Sequence, residues 1–318
     1  MTDTFRLCQH NIGPTSYYNT RGKDNKMLFI DSDKSFRNIK NYMRNCEYQA
    51  DIYTIQELQN GNQRESGYLS VDGINYEYEY NPTGKNDYYI NNSHGISKDP
   101  KTIPHGCAII YNTDKFNYIN TYTNFSTKEL GKRASPWVLL EEKITKQLYA
   151  VISLHSLIVS PLTKMKLNRL SNLFDSLFSQ MDKIDLRHEN IRFIIGTDLN
   201  INLFNPDLEI NVKDSSQVSS RDIKEVQKGI DEEMRYFRES LEDFEMNCEL
   251  NNDIYTNYGG TEDNIFYDCI DFIFKSKYLQ TYEVSYGFNY IGTLPNYGDL
   301  EFLVNDFDHT AIYSLVGN

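Results

Sequence analysis

Short runs of apolar, β-branched and aromatic residues recur along the chain at 5–12, 52–56, 107–111, 137–140, 149–154, 193–196, 269–274 and 311–316. Their length and composition predict strands. Three stretches between them carry apolar residues at helical spacing instead. The first holds Phe36, Ile39, Met43 and Cys46, and the second Leu167, Leu170, Phe174, Leu177 and Met181. The second opens on Ser160-Pro161, an N-cap followed by a proline suited to the first helical position. The third runs through Ile223, Val226, Ile230, Met234, Phe237, Leu241 and Phe244 after the cap candidates Ser219 and Ser220. Its opposite face is crowded with Glu and Asp, which predicts a solvated outer helix within an acidic segment at 219–250.

The stretch 59–104 is polar and rich in Gly and Asn, without sustained periodicity. It predicts a long loop insertion, with a Tyr-rich hairpin around Tyr76 to Tyr80. No internal repeat, heptad run or linker divides the sequence. Strands and helices alternating from end to end predict one α/β domain over 1–318, with β-sheets packed on each other and covered by helices.

Composition narrows the classes. The 318 residues are enough for a sizeable core, and the formal charge of −13 argues against broad attraction to polyanions. A local basic groove is not excluded by it. Cys8, Cys46, Cys107, Cys248 and Cys269 are odd in number and show no C-x-x-C spacing, which predicts reduced core thiols. The first residues lack a basic then apolar leader, and no apolar run approaches the ~20 residues of a membrane-spanning helix. A soluble cytoplasmic protein, without a membrane partner, is the expectation.

Chemistry enters with four strand-like tags that carry acid, amide or imidazole groups. They are Tyr53-Thr-Ile-Gln-Glu57, Phe193-Ile-Ile-Gly-Thr-Asp198-Leu-Asn200, Ile270-Asp271-Phe-Ile-Phe274 and Asp306-Phe-Asp308-His309-Thr-Ala-Ile312. Burying a carboxylate costs several kcal/mol unless a cation or donor compensates, so carboxylates repeated at strand ends suggest a shared cation. Glu57 suits a hard cation, and Mg²⁺ is the expected ion because it binds a few carboxylates together with phosphate. Asn11 could complete the shell or touch phosphate.

Asp198 and Asn200 are separated by one residue and would share a face of an extended segment. Asp198 could then orient a water while Asn200 donates to phosphate or ligates metal. Asp271 could hold the imidazole of His309 charged against a pentacovalent transition state, leaving Asp308 to face the metal. His155 ends another strand. Taken singly, each residue also has an ordinary structural explanation: a turn Asn, an Asx-turn, a satisfied core histidine. No G-x-S-x-G, H-E-x-x-H, P-loop or G-x-G-x-x-G run competes, and Gly259-Gly260 lacks the context of a phosphate cradle.

The ordered series His10-Asn11-Ile12, Ile55-Gln56-Glu57, His155, Thr197-Asp198-Leu199-Asn200, Ile270-Asp271-Phe272 and Asp308-His309 resembles the endonuclease/exonuclease/phosphatase superfamily. Finer segments are similar to the branch of carbon-catabolite-repression-4-type deadenylases, nocturnin, Angel and the 2',5'-phosphodiesterases. These are Gly106-Cys-Ala-Ile-Ile-Tyr111-Asn-Thr-Asp-Lys-Phe116 and Thr256-Asn-Tyr258 leading to Cys269-Ile-Asp-Phe-Ile-Phe274. Phe307 stands where that family has a small residue, and Arg133 lies in a segment too short to align, so it receives no role.

The resemblance implies a four-layer αββα sandwich of two mixed β-sheets flanked by helices. It implies Glu57, Asn11 and Asp308 around Mg²⁺, with Mn²⁺ as a substitute. It assigns His155, Asp198, Asn200, Asp271 and His309 to catalysis, and Phe266 to stacking on a substrate adenine, a contact worth ~1–3 kcal/mol. The implied activity is hydrolysis of RNA from its 3' end with adenylate preference. A phosphatase or phosphodiesterase of a phospholipid, inositol phosphate or nucleotide cofactor is the alternative, and a non-enzymatic binding module a third. Adaptor-docking leucine-rich repeats are not evident.

Overall fold

The computed structural model describes residues 4–12, 43–44, 46, 48–59, 66–82, 105–121, 135–156, 175–177, 179–180, 191–199, 228, 232, 235–248, 256–261, 264–286 and 310–317. Of these, 57–59, 66, 80–82, 105, 121, 257–261 and 264–268 are described in their backbone alone. The strands are β1 (Thr4–Asn11), β2 (Ile52–Gln59), β3 (Ser66–Val71), β4 (Ile74–Pro82), β5 (His105–Asn112), β6 (Phe116–Thr121), β7 (Trp137–Glu142) and β8 (Leu148–His155). They continue with β9 (Ile191–Asp198), β10 (Met246–Cys248), β11 (Asn257–Thr261), β12 (Asn264–Asp268), β13 (Asp271–Ser276), β14 (Gln280–Tyr286) and β15 (Ile312–Gly317).

A seven-stranded sheet in the order β14-β15-β1-β2-β5-β4-β3 faces a six-stranded sheet in the order β10-β13-β9-β8-β7-β6. Each contains one parallel pair, β1 with β2 and β8 with β9. Parallel neighbours require a crossover, and helical residues 43–44, 175–177 and 179–180 fall in those two connections. Every predicted strand forms, within a few residues of its expected bounds.

Alternation along the strands divides the core into three clusters. Phe5, Leu7, Ile52, Tyr149, Val151, Ile194, Ile273 and Val316 fill the space between the sheets. Cys8, Tyr53, Ile55, Ala108, Ile110 and Tyr313 cover the far side of the seven-stranded sheet and pack with Met43. Ala150, Ile152, Leu154, Ile195, Phe272 and Phe274 cover the far side of the other sheet, with Leu177, Phe237 and Leu241 against them. Helical residues on both outer faces of two packed sheets make the αββα arrangement.

The hairpin expected around Tyr76 to Tyr80 within the insertion at 59–104 is formed by β3 and β4, and it extends the sheet beside β5. Its turn is Asp72-Gly73, with φ of 51° and 86°, the left-handed pair that a two-residue hairpin requires. Within the acidic segment, helical residues 235–243 give way to a turn and then to β10, which pairs with β13. Glu245, at φ 52°, reverses the chain there.

Candidate functional site

Going toward the C-terminal ends of the parallel strands, the space between the sheets changes from apolar to polar in steps of two residues. On β1 the inward series is Phe5, Leu7, Gln9, Asn11; on β8 it is Tyr149, Val151, Ser153, His155; on β9 it is Ile194, Gly196, Asp198. One strand period therefore converts core into a middle polar layer, and the next converts that layer into the candidate site.

At that end Asn11 of the first sheet donates from Nδ2 to Asp198 Oδ2 of the second at 2.7 Å. His155 Nε2 lies 3.4 Å from the same oxygen, because the parallel register sets His155 beside Asp198. All three are nearly inaccessible, with Asp198 1% exposed. A carboxylate so enclosed depends on such donors to offset its desolvation. Asp271 opens β13 directly opposite Asp198 and is itself fully buried. Gln9 Nε2 reaches its Oδ1 at 3.4 Å, and Thr256 Oγ1 accepts from the N–H groups of Asp271 and Ile270 at 3.0 Å each. Thr256 also accepts, through its carbonyl, the N–H of Thr310 at 2.7 Å. Thr310 follows His309 directly in sequence.

The middle layer joins the two sheets by hydrogen bonds. Gln9 and Gln56 exchange amide bonds at 2.6 and 3.1 Å, and Gln56 Nε2 continues to Ser153 Oγ at 3.0 Å. Gly196 permits this approach: a Cβ there would lie 1.8 Å from Thr54 Oγ1 and 2.7 Å from Gln9 Oε1.

Of the residues singled out from sequence, Asn11, His155 and Asp198 thus come together, with Asp271 beside them on the adjoining strand. Glu57 lies on β2, where the register against β5 shifts between Ile55 and Leu58. Such an irregularity breaks strict alternation and is common next to active sites. The side chain of Glu57 lies outside the described residues, as do Asn200, Asp308, His309 and Arg133. Phe266 lies opposite Gly259 in the β11–β12 ribbon, and its side chain too is outside them. Gly259-Gly260 are strand residues of that ribbon, as their lack of cradle context implied.

Among the described residues no three His, Cys, Asp or Glu side chains converge as metal ligands. The donors present, the Asp198 carboxylate and the Asn11 amide, are nevertheless hard oxygen donors of the kind Mg²⁺ takes. Gln9 was not singled out from the sequence. Its signal was a polar residue two before Asn11, on the face where Phe5 and Leu7 point into the core.

By sequence, no family model and no curated protein matches the chain. Solved structures do match its fold. ANGEL2, described as a 2',3'-cyclic phosphatase, shares it at a TM-score of 0.59 and 12% identity, over 99% of this chain and 95% of that one. The human nocturnin catalytic domain matches at 0.56 and 14% identity, over 100% and 95%. An endonuclease/exonuclease/phosphatase family protein from Bacteroides thetaiotaomicron matches at 0.53 and 13% identity, over 100% and 99%. The chain has the endonuclease/exonuclease/phosphatase fold.

Proposed function

We propose that this chain is a divalent-metal-dependent phosphoester hydrolase whose site lies where β1, β2, β8, β9 and β13 meet. The observation that carries the proposal is the buried Asn11–Asp198–His155 cluster, set at the ends of the two parallel strand pairs. A carboxylate held between an amide donor and an imidazole is a fixed acceptor for a proton from water. The ordered sequence motifs and the shared fold support the same reading.

In this scheme Asp198 orients a water in line with the phosphorus and takes its proton as the new P–O bond forms. The opposite P–O bond breaks, and the leaving oxygen takes up a proton from solvent. His155 and Asn200 contact the phosphate, and Asp271 holds His309 cationic against the developing negative charge. Glu57, Asn11 and Asp308 would hold Mg²⁺, or Mn²⁺ in its place. The ion would supply charge neutralisation to the phosphate oxygens.

The substrate we propose is the 3' end of RNA with preference for adenylate, Phe266 stacking on the base. The likeness to the nocturnin catalytic domain is compatible with this reading. A likeness of similar degree to a protein described as a 2',3'-cyclic phosphatase supports a second reading, a phosphatase of a smaller phosphoester. Among the described residues no helix is long and apolar enough to cross a membrane.

The test is turnover of the purified protein with Mg²⁺ on labelled poly(A), mixed RNA, DNA, 2',5'-oligoadenylate, cyclic phosphate ends and lipid headgroups. Shortening of poly(A) from its 3' end ahead of the others is the expected result. Turnover of only the small phosphoesters would move the assignment to the second reading, and turnover of none would leave a binding module.

A further inference from the structure

Gln9 and Gln56 meet in the middle of the sandwich, where both are 0% exposed. Apolar side chains would fill such a layer without the cost of desolvating two amides, and a half-satisfied polar network is worse than none. Here the network is satisfied, and its ends set its direction. The Asp271 carboxylate accepts the 3.4 Å bond from Gln9 Nε2, so the Gln9 amide nitrogen must face it. The carbonyl of Gly196 also only accepts, so Gln56 turns its Nε2 that way, at 3.4 Å. Gln9 Oε1 is then left to accept from Gln56 Nε2 and from Thr54 Oγ1, at 3.1 and 3.0 Å. Flipping either amide would place oxygen against oxygen.

The chain of bonds therefore runs from one sheet to the other and terminates on a carboxylate that adjoins the site. The backbone N–H of Asp271 is held separately by Thr256.

We propose that Gln9 is a positioning residue that fixes the orientation of the Asp271 carboxylate, so that its influence on turnover passes through Asp271. Gln56 locks Gln9 from the other side, and Gly196 leaves the room for Gln9 and for Thr54, which donates to it. The proposal rests on the hydrolase reading, and its test separates the two.

Gln9→Leu keeps the bulk of the side chain and removes the donor. Misplacing a group near the reacting atoms can cost on the order of a hundredfold, so kcat should fall by about that factor with KM within about twofold. In an Asp271→Asn background the same substitution should cost less than about twofold, because the group it acts through is already disabled. Full additivity of the two losses would overturn the proposal. If Gln9→Leu does not fold, Gln9→Glu carries the same cycle: it keeps the length and sets an acceptor against the carboxylate. Independently of activity, the side-chain amide resonances of Gln9 in a ¹H–¹⁵N spectrum should shift on Asp271→Asn. Unmoved resonances overturn the Gln9–Asp271 coupling even in an active enzyme. Moved resonances in a protein without turnover on any phosphoester would overturn the hydrolase reading and the kinetic part of the proposal, and uphold the positional part.

Discussion

The proposed mechanism requires Asp198 to be buried, charged and aimed at once, and the three demands are met by different neighbours. Burial comes from the closure of the two sheets, and the charge is offset by Asn11 at 2.7 Å and His155 at 3.4 Å. The aim comes from β9, which is fixed by β8 on one side and β13 on the other. Asp198→Ala should lower turnover by about 10²–10⁴, the usual contribution of a general base, with circular dichroism unchanged. Phe266→Ala should weaken adenylate-ended substrates and leave other bases unaffected; equal loss across bases in a competition assay would remove the stacking role. Asp198, His155 and Asn11 were legible in sequence because each closes an apolar strand, where a polar group marks the sheet's edge. Gln9 was not, because a polar residue inside a strand reads as solvent-facing until the opposite sheet is known.

Strand pairing turns those residues into a constellation, and its most demanding point is Gly196. A methyl group there meets the Thr54 side chain at 1.8 Å, where both sheets are fixed by their own hydrogen bonds. Gly196→Ala should cost about 1–3 kcal/mol, as overpacking does, and should also lower kcat because it parts Asn11 from Asp198. Denaturant titration together with kinetics checks this.

At the far end of β4, Gly73 at φ 86° should tolerate no β-branched residue; Gly73→Val should cost about 1–2 kcal/mol while leaving turnover intact. The Tyr-rich stretch Tyr76 to Tyr80 made this hairpin legible in sequence; its partner β3 was not, because exposed Tyr68 and Ser70 alternate with Leu69 and Val71 in a short polar stretch.

The turn from β7 to β8 gives a pH dependence. Burial pushes the Glu142 carboxyl up, but hydrogen bonds from the side chain and backbone of Thr145 and from Ile144 N–H outweigh it and hold the group below its ordinary value. A carboxyl depressed in the folded state adds stability above its unfolded pKa, about 4.3, and loses it as pH falls through the folded value. Glu142→Gln should therefore lower Tm most at neutral pH, and the difference should vanish in acid.

Across the whole molecule the two sheets act as one device: each supplies a parallel pair, and the site exists only where the pairs are opposed. We propose that residues 1–318 form one domain on this account, which a single cooperative unfolding transition would bear out. The architecture was legible because strand-length apolar runs and helical periodicity alternate through the chain. The edge strands β6 and β14 were not, because exposed edges carry mixed residues such as Tyr118, Ile119 and Tyr282, which mimic loop composition. With a net charge of −13, the proposed RNA substrate would have to be held by the site itself rather than drawn in by the molecular field.

The most direct measurement is hydrolysis of a 3'-adenylate-ended RNA by the wild-type protein in Mg²⁺, after chelation by EDTA, and by Asp198→Ala in Mg²⁺. Turnover in the first case alone, restored to the chelated protein by returning Mg²⁺, is the predicted result. Turnover that survives chelation, or that Asp198→Ala retains in full, would contradict a metal-dependent site built around Asp198.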